Sequence, residues 1–278
     1  MDENQLRMAQ AAFSPQRILA IGLVQAIAGY DLPQTARTAF LRFHALITST
    51  PPPEYITRWR STPRLEKWYL AHAGGVLDNV QDALTGAYYH RDNVAEIESA
   101  LLVRLERLGL KETVPPNSTV AFGNTVKLDL EYQAFVLVAR RCLDYLTRAL
   151  AAYFKHDFHS FRDMPKSLER LKPSSVADAL TEAHARHVDS LAFVLSDGQR
   201  KSVRDTISHY EHVQAGTLNV SGREGLFFAG GGERLSQPNT GSGLAVSIAA
   251  AMDKRLDVLQ QTVDDILISF VEAVARER

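Results

Sequence analysis

Apolar positions recur every three or four residues along most of the chain, the spacing that lines one face of an α-helix. Ser14-Pro15 is an N-cap followed by a proline at the first helical position, and Ile18, Leu19, Gly22, Gln25 and Ala26 continue one face. A second helix starts near Pro33 and carries Ala36, Phe40, Phe43, Leu46 and Ile47 on one side, until Pro51-Pro52-Pro53 stops it. Further helices are expected over 63–73, 76–89 and 93–110, the last with a stripe of Ile97, Leu101, Leu102, Leu105 and Leu108 closed by Gly109. Residues 111–126 lose this periodicity and are rich in Pro, Gly and polar turn formers, so they read as a linker between two regions.

Beyond the linker, the spacing predicts a long helix over 127–155, with Leu128, Tyr132, Phe135, Ala139, Cys142, Leu146 and Leu150 on one stripe. Pro165 and Pro173 bracket a short helix, and another runs over 174–195. Alternation then replaces helical spacing: Thr217–Val220 and Gly225–Ala229 flank Ser221-Gly222-Arg223-Glu224, a hairpin pattern at about 216–232. A final helix over 244–276 carries Leu256, Leu259, Val263, Ile266, Phe270 and Val274 along a seam that suits a bundle core or a subunit contact. These patterns predict an all-α protein: a helical N-terminal region over 1–110, a linker over 111–126, and an antiparallel helical bundle over 127–278 with a small β-hairpin insert.

The chain has 278 residues, 45% hydrophobic and 23% charged, which is ordinary for a globular protein with a substantial core. Its single Cys142 leaves no intramolecular disulfide framework, suits a reducing compartment, and sits on an apolar stripe as an inert thiol. No signal-like segment opens the chain and no apolar run is long enough to span a bilayer, so a cytoplasmic protein without a membrane partner is expected. A formal net charge of -1 provides no overall field toward nucleic acid, so any such contact must come from local patches. One patch interleaves Arg58, Arg60, Arg64 and Lys67 with Tyr55, Trp59, Trp68 and Tyr69, cations among stacking surfaces that suit a single strand.

The densest chemistry lies in Gly198–Val213. Val203, Ile207 and Tyr210 fix a buried edge, which places Lys201, Asp205, Ser208, His209 and His212 on the opposite face and Arg204 on its flank. An imidazole such as His209 takes or gives a proton near neutrality, and Arg204 offers a permanently charged fork to phosphate oxygens. Asp205 stands four residues before His209, where a carboxylate can orient the ring. Arg200, Lys201, Ser208 and His212 are candidate substrate contacts around them. Arg204 and His209 lie about 140° apart on an ideal helix, so a single copy does not close both around one phosphate.

Arg204-Asp205, three further residues and then His209 resemble the signature of the HEPN superfamily, an Arg followed by a polar residue with a His a few positions later on a late helix of a bundle. The resemblance covers about residues 127–278. It implies a metal-independent endoribonuclease acting as a homodimer on RNA, with Arg204 and His209 catalytic and Asp205 orienting. It also implies a toxin or phage-defence setting, an antitoxin or other regulatory protein as partner, and no cofactor. Other members of the superfamily have lost catalysis and bind nucleotides or RNA, which gives a second reading as a binding or interaction protein.

A third reading is a metal site. His156 and His159, His184 and His187, and His209 and His212 are pairs spaced by three, with Asp157 and Asp205 available beside them. No Glu-x-x-His set or Cys pairing accompanies them, so no metal ligand is assigned. Gly230-Gly231-Gly232 lacks the Lys-Ser/Thr ending of a phosphate loop and reads as a hairpin exit.

Overall fold

The computed structural model describes residues 19, 23, 24, 26–123, 126–171, 173–196, 201–209, 212–223, 225–230 and 247–277. Residues 1–32 form a unit of their own, in which Leu19, Leu23, Val24 and 26–28 are helical. Residues 33–278 form the second unit, which is mostly helical with a small antiparallel sheet.

In chain order the second unit runs α1 (Thr38–Thr48), α2 (Glu54–Ser61), α3 (Glu66–Gly74), α4 (Gln81–Glu106), β1 (Thr119–Gly123), α5 (Val126–Tyr153), α6 (Met164–Glu169), α7 (Ser175–His187), α8 (Val203–His209), β2 (Gly216–Ser221), β3 (Gly225–Gly230) and α9 (Ile248–Arg276). Gly75–Val80 is a π-helical turn that joins α3 to α4 without a break. Two separate helices were expected over 76–89 and 93–110, but Tyr89-His90-Arg91-Asp92 between them contains no Gly or Pro, and the helix continues through it to Glu106. Past that end, Gly109 takes the left-handed conformation, φ 61°, that turns the chain out of the helix.

Pairings across the bundle give the direction of each helix. Going up α3 and α4, His72 meets Ala149, Val80 meets Cys142 and His90 meets Glu131, so this rod runs antiparallel to α5. Tyr88 meets Gln260 and Glu98 meets Ile248, so it is also antiparallel to α9. Arg186 meets Asp265 and Ser175 meets Glu277, which sets α7 antiparallel to α9. The four principal helices α4, α5, α7 and α9 thus alternate in direction along the chain.

Packing along the α3–α5 seam is close enough to require a residue without a side chain. A Cβ on Gly75 would lie 2.7 Å from the Cβ of Ala149, inside van der Waals contact. The core between the helices is the stripe the periodicity predicts: Leu128, Tyr132, Phe135, Ala139, Cys142, Leu146 and Leu150 of α5 and Leu256, Leu259, Val263, Ile266, Phe270 and Val274 of α9 are all buried. Burial raises the Cys142 thiol well above its ordinary pKa, in keeping with an unreactive core residue. Among the described residues, no helix is long and apolar enough to cross a membrane.

Part of the segment read as a linker, Thr119–Gly123, is a strand. Residues 119–123 pair antiparallel with β2, from Thr119 opposite Ser221 to Gly123 opposite Leu218, and β2 pairs with β3, so the expected hairpin supplies the central strand and one edge of a three-stranded sheet ordered β1-β2-β3. The helices on either side of 111–126, α4 and α5, pack directly on one another.

Candidate functional site

The chain reaches α8 through a strap that other helices hold. After α7 a 3-10 turn, Val188–Leu191, leads to Phe193 and Val194, both buried. The Arg140 guanidinium of α5 donates to the Val194 carbonyl at 3.3 Å while its Nε meets Asp144 at 2.9 Å. Phe193 stacks on Phe135, and the guanidinium of Arg255, hydrogen-bonded to the Tyr132 hydroxyl, lies 5.6 Å from the Phe193 ring.

Ser202 decides where α8 begins. It is buried, and its Oγ accepts the Asp205 backbone N–H at 3.2 Å, the N-cap geometry that satisfies one of the free donors of a first turn. The Arg204 N–H finds the Phe193 carbonyl at 3.3 Å. The described helix spans Val203–His209. Lys201 lies before it and His212 beyond it, so these two do not share the helical face expected of them, because the Ser202 cap starts the helix after Lys201. Arg200 and Tyr210 lie outside the described residues.

Within α8, Arg204 Nη1 contacts Asp205 Oδ1 at 2.9 Å, with the two side chains 33% and 25% exposed. Burial pushes the Asp205 carboxyl up, but hydrogen bonds from Arg204, Ser202 and Ser196 outweigh it and hold the group below the usual carboxylate range. Asp205 is thus the hub of a small polar cluster that fixes the guanidinium of its own neighbour. Ser208 and His209, at the other end of the helix, are exposed, as is Lys201. The cavities lined by Tyr55 and Tyr153 and by Glu106 and Leu226 include no residue of α8.

His212 has a different place. Its Nε2 lies 3.0 Å from Oδ2 of the buried Asp129 on α5, whose Oδ1 accepts the Ala215 N–H at 2.7 Å. The Gln133 amide nitrogen donates to the Val213 carbonyl at 3.1 Å and stands 3.0 Å from His212 Nδ1. An amide nitrogen so placed makes Nδ1 the acceptor and Nε2–H the donor to Asp129, so both ring nitrogens are occupied. His212 therefore clasps the exit of α8 to α5. Ser202, Ser196, Asp129 and Gln133 are the members of this surface that the motif alone does not reveal. Of these, Asp129 had a visible signal, a carboxylate in step with the apolar stripe of α5.

The remaining histidine pairs do not converge. His184 is buried and bonds the Phe161 carbonyl at 3.0 Å, while His187 meets Asp265 at 2.8 Å beside Arg186. Among the described residues no group of three or more His, Cys, Asp or Glu side chains is placed to hold a metal ion. The basic and aromatic patch on α2 and α3 divides: Arg60 covers Tyr69 at 5.4 Å and Lys67 covers Trp68 at 4.9 Å, whereas Arg58 turns to a cleft with Tyr55 and Trp59.

Compared with protein-family models, with curated proteins and with solved structures, the chain matches none.

Proposed function

We propose that α8 is one half of a metal-independent RNA-cleaving site that a second copy of the chain completes. One observation carries the reading: a partly exposed guanidinium, Arg204, is held in place by Asp205 on the same seven-residue helix whose far end presents an exposed imidazole, His209. Fixed cations near developing negative charge and a neutral-range proton carrier are the two requirements of phosphodiester transfer without a metal.

In this reading the ribose 2'-hydroxyl attacks the adjacent phosphorus. The 2'-O–P bond forms and the P–O5' bond breaks, leaving a 2',3'-cyclic phosphate and a free 5'-hydroxyl. The His209 imidazole of one copy takes the 2' proton, and the same imidazole of the second copy gives a proton to the departing 5' oxygen. Arg204 stands against the non-bridging oxygens, with Asp205 as its positioning residue. Lys201 and Ser208 are the nearest further contacts for the strand, and His212, with both nitrogens engaged, has a structural role.

Incubation of the purified chain with single-stranded RNA in excess EDTA tests this. Cleavage to cyclic-phosphate ends that falls about 100-fold or more in both Arg204→Ala and His209→Ala is the expected result. Because each copy supplies one of the two imidazoles, adding excess His209→Ala to the wild type should lower the activity further than dilution alone. Chelator-sensitive cleavage, or cleavage that survives His209→Ala, overturns the reading. RNA binding without cleavage favours the non-catalytic alternative, which the exposed Lys201, Ser208 and His209 also accommodate.

A further inference from the structure

A second site lies away from α8. A cavity of about 610 Å³ opens between the start of α2 and the C-terminal ends of α5 and α9. That is within the range of about 300–1,000 Å³ typical of small-molecule sites. Its wall is aromatic: the half-buried rings of Tyr55 and Tyr153 meet edge to face with centroids 4.9 Å apart, and Tyr55 stands at the same distance from Trp59 on the floor. These rings are held from behind. The Tyr55 hydroxyl faces Nε2 of the buried His72 at 3.5 Å, His72 Nδ1 is fixed at 2.7 Å by the Ala149 carbonyl, and the Tyr153 hydroxyl donates to Glu277 at 3.0 Å.

Two cations stand at the mouth, Arg58 and Lys155, both exposed and neither with an ion-pair partner among the described residues. Lys155 carries the stronger signal. It is the only non-glycine among the described residues with a positive φ, 58°, and it closes α5 at the position where glycine ordinarily relieves the strain. Lys155 thus holds a strained backbone conformation at the rim of the aromatic cleft.

We propose that this cleft binds a nucleoside monophosphate, its base against Tyr55 and Tyr153 and its phosphate between Arg58 and Lys155. Flat rings are recognised by aromatic edges and faces, and a phosphate by unpaired guanidinium and ammonium groups. Of the two carboxylates in the lining, Glu277 is engaged by Tyr153 and Ser175, which leaves Glu54 as an acceptor for sugar hydroxyls. The inference stands on α2, α5 and α9 residues and is independent of the chemistry assigned to α8.

The chain has two tryptophans, Trp59 at this floor and Trp68 beyond it, so Trp68→Phe leaves a single emitter that reports on the cleft. Titration of that variant with AMP, GMP, CMP and UMP should give a saturable change in emission for at least one of them, confirmed by calorimetry. The matching nucleoside should bind at least tenfold more weakly. Arg58→Glu and Lys155→Glu should abolish the response, and His209→Ala should leave it intact. Lys155→Gly adds a separate readout: a higher melting temperature together with weaker binding. No response to any monophosphate, equal binding of the nucleoside, or a response that survives Arg58→Glu overturns the proposal, whatever the outcome of the RNA-cleavage assay.

Discussion

The carboxylate of Glu98, deep in α4, lies across the first turn of α9 and accepts the backbone N–H groups of Ile248 at 2.8 Å and Ala249 at 2.9 Å. Together with the Ser247 hydroxyl, which takes the Ala250 N–H at 3.1 Å, it satisfies three of the donors that a helix start leaves open. A side chain from a distant helix thus sets where the last helix begins.

Removing that carboxylate strands two donors, one buried and one partly buried. Glu98→Ala is expected to cost about 1–3 kcal/mol for the lost acceptor, visible as a lower denaturation midpoint. Burial raises the Glu98 carboxyl above its ordinary pKa, with the two backbone hydrogen bonds only partly opposing it. In the interval between its unfolded and folded values the folded state binds the extra proton, so the contribution of Glu98 to stability falls as pH rises through that interval. Glu98→Gln should lack this slope when unfolding is followed against pH.

His72 gives a slope of the opposite sign. Full burial lowers its pKa from 6.5 to about 4, against the raising effect of the Ala149 carbonyl it bonds. Between those values the unfolded chain binds the proton and the folded chain does not, so stability is lost as pH falls from 6.5 toward 4. A shift of this size corresponds to about 3 kcal/mol across the window. Chemical denaturation at a series of pH values should show it in the wild type and lose it in His72→Gln.

The Ser202 cap couples helix formation to the proposed site. Ser202→Ala is expected to cost about 1 kcal/mol, concentrated in α8. Hydrogen exchange should quicken at the amides of 205–209 while those of α5 and α9 stay protected. In the RNA-cleavage reading, activity falls with it, since Asp205 loses both its N–H anchor and one of the hydroxyls that hold its charge.

Gly75→Ala tests the closest helix contact. The added methyl would meet the Ala149 side chain at 2.7 Å, and overpacking of this kind costs about 1–3 kcal/mol. Because the Ala149 carbonyl also fixes His72, the same variant should alter the pH slope described above.

Local pattern made most of the helices legible, because burial on one face leaves a period in the sequence. Leu128 to Leu150 and Leu256 to Val274 are buried as their spacing requires. Strand β1 was hidden because Thr119–Gly123 is short, flanked by turn formers, and becomes a strand only when β2 lies beside it. The spacing places Lys201 on the face of α8, whereas the buried Ser202 cap, a tertiary feature, starts the helix after it. At the candidate site, the Arg204–Asp205 contact is local and could be read from adjacency. The Asp129–His212 contact joins residues 83 apart, and only the bundle brings them together.

Both ends of the α8 segment are fastened to one rod. Arg140 of α5 grips the chain at Val194 before it, and Asp129 and Gln133 of α5 grip it at His212, Val213 and Ala215 after it. Both moorings lie outside Val203–His209, so an exposed side chain such as Ser208 can be replaced without touching either attachment to that rod.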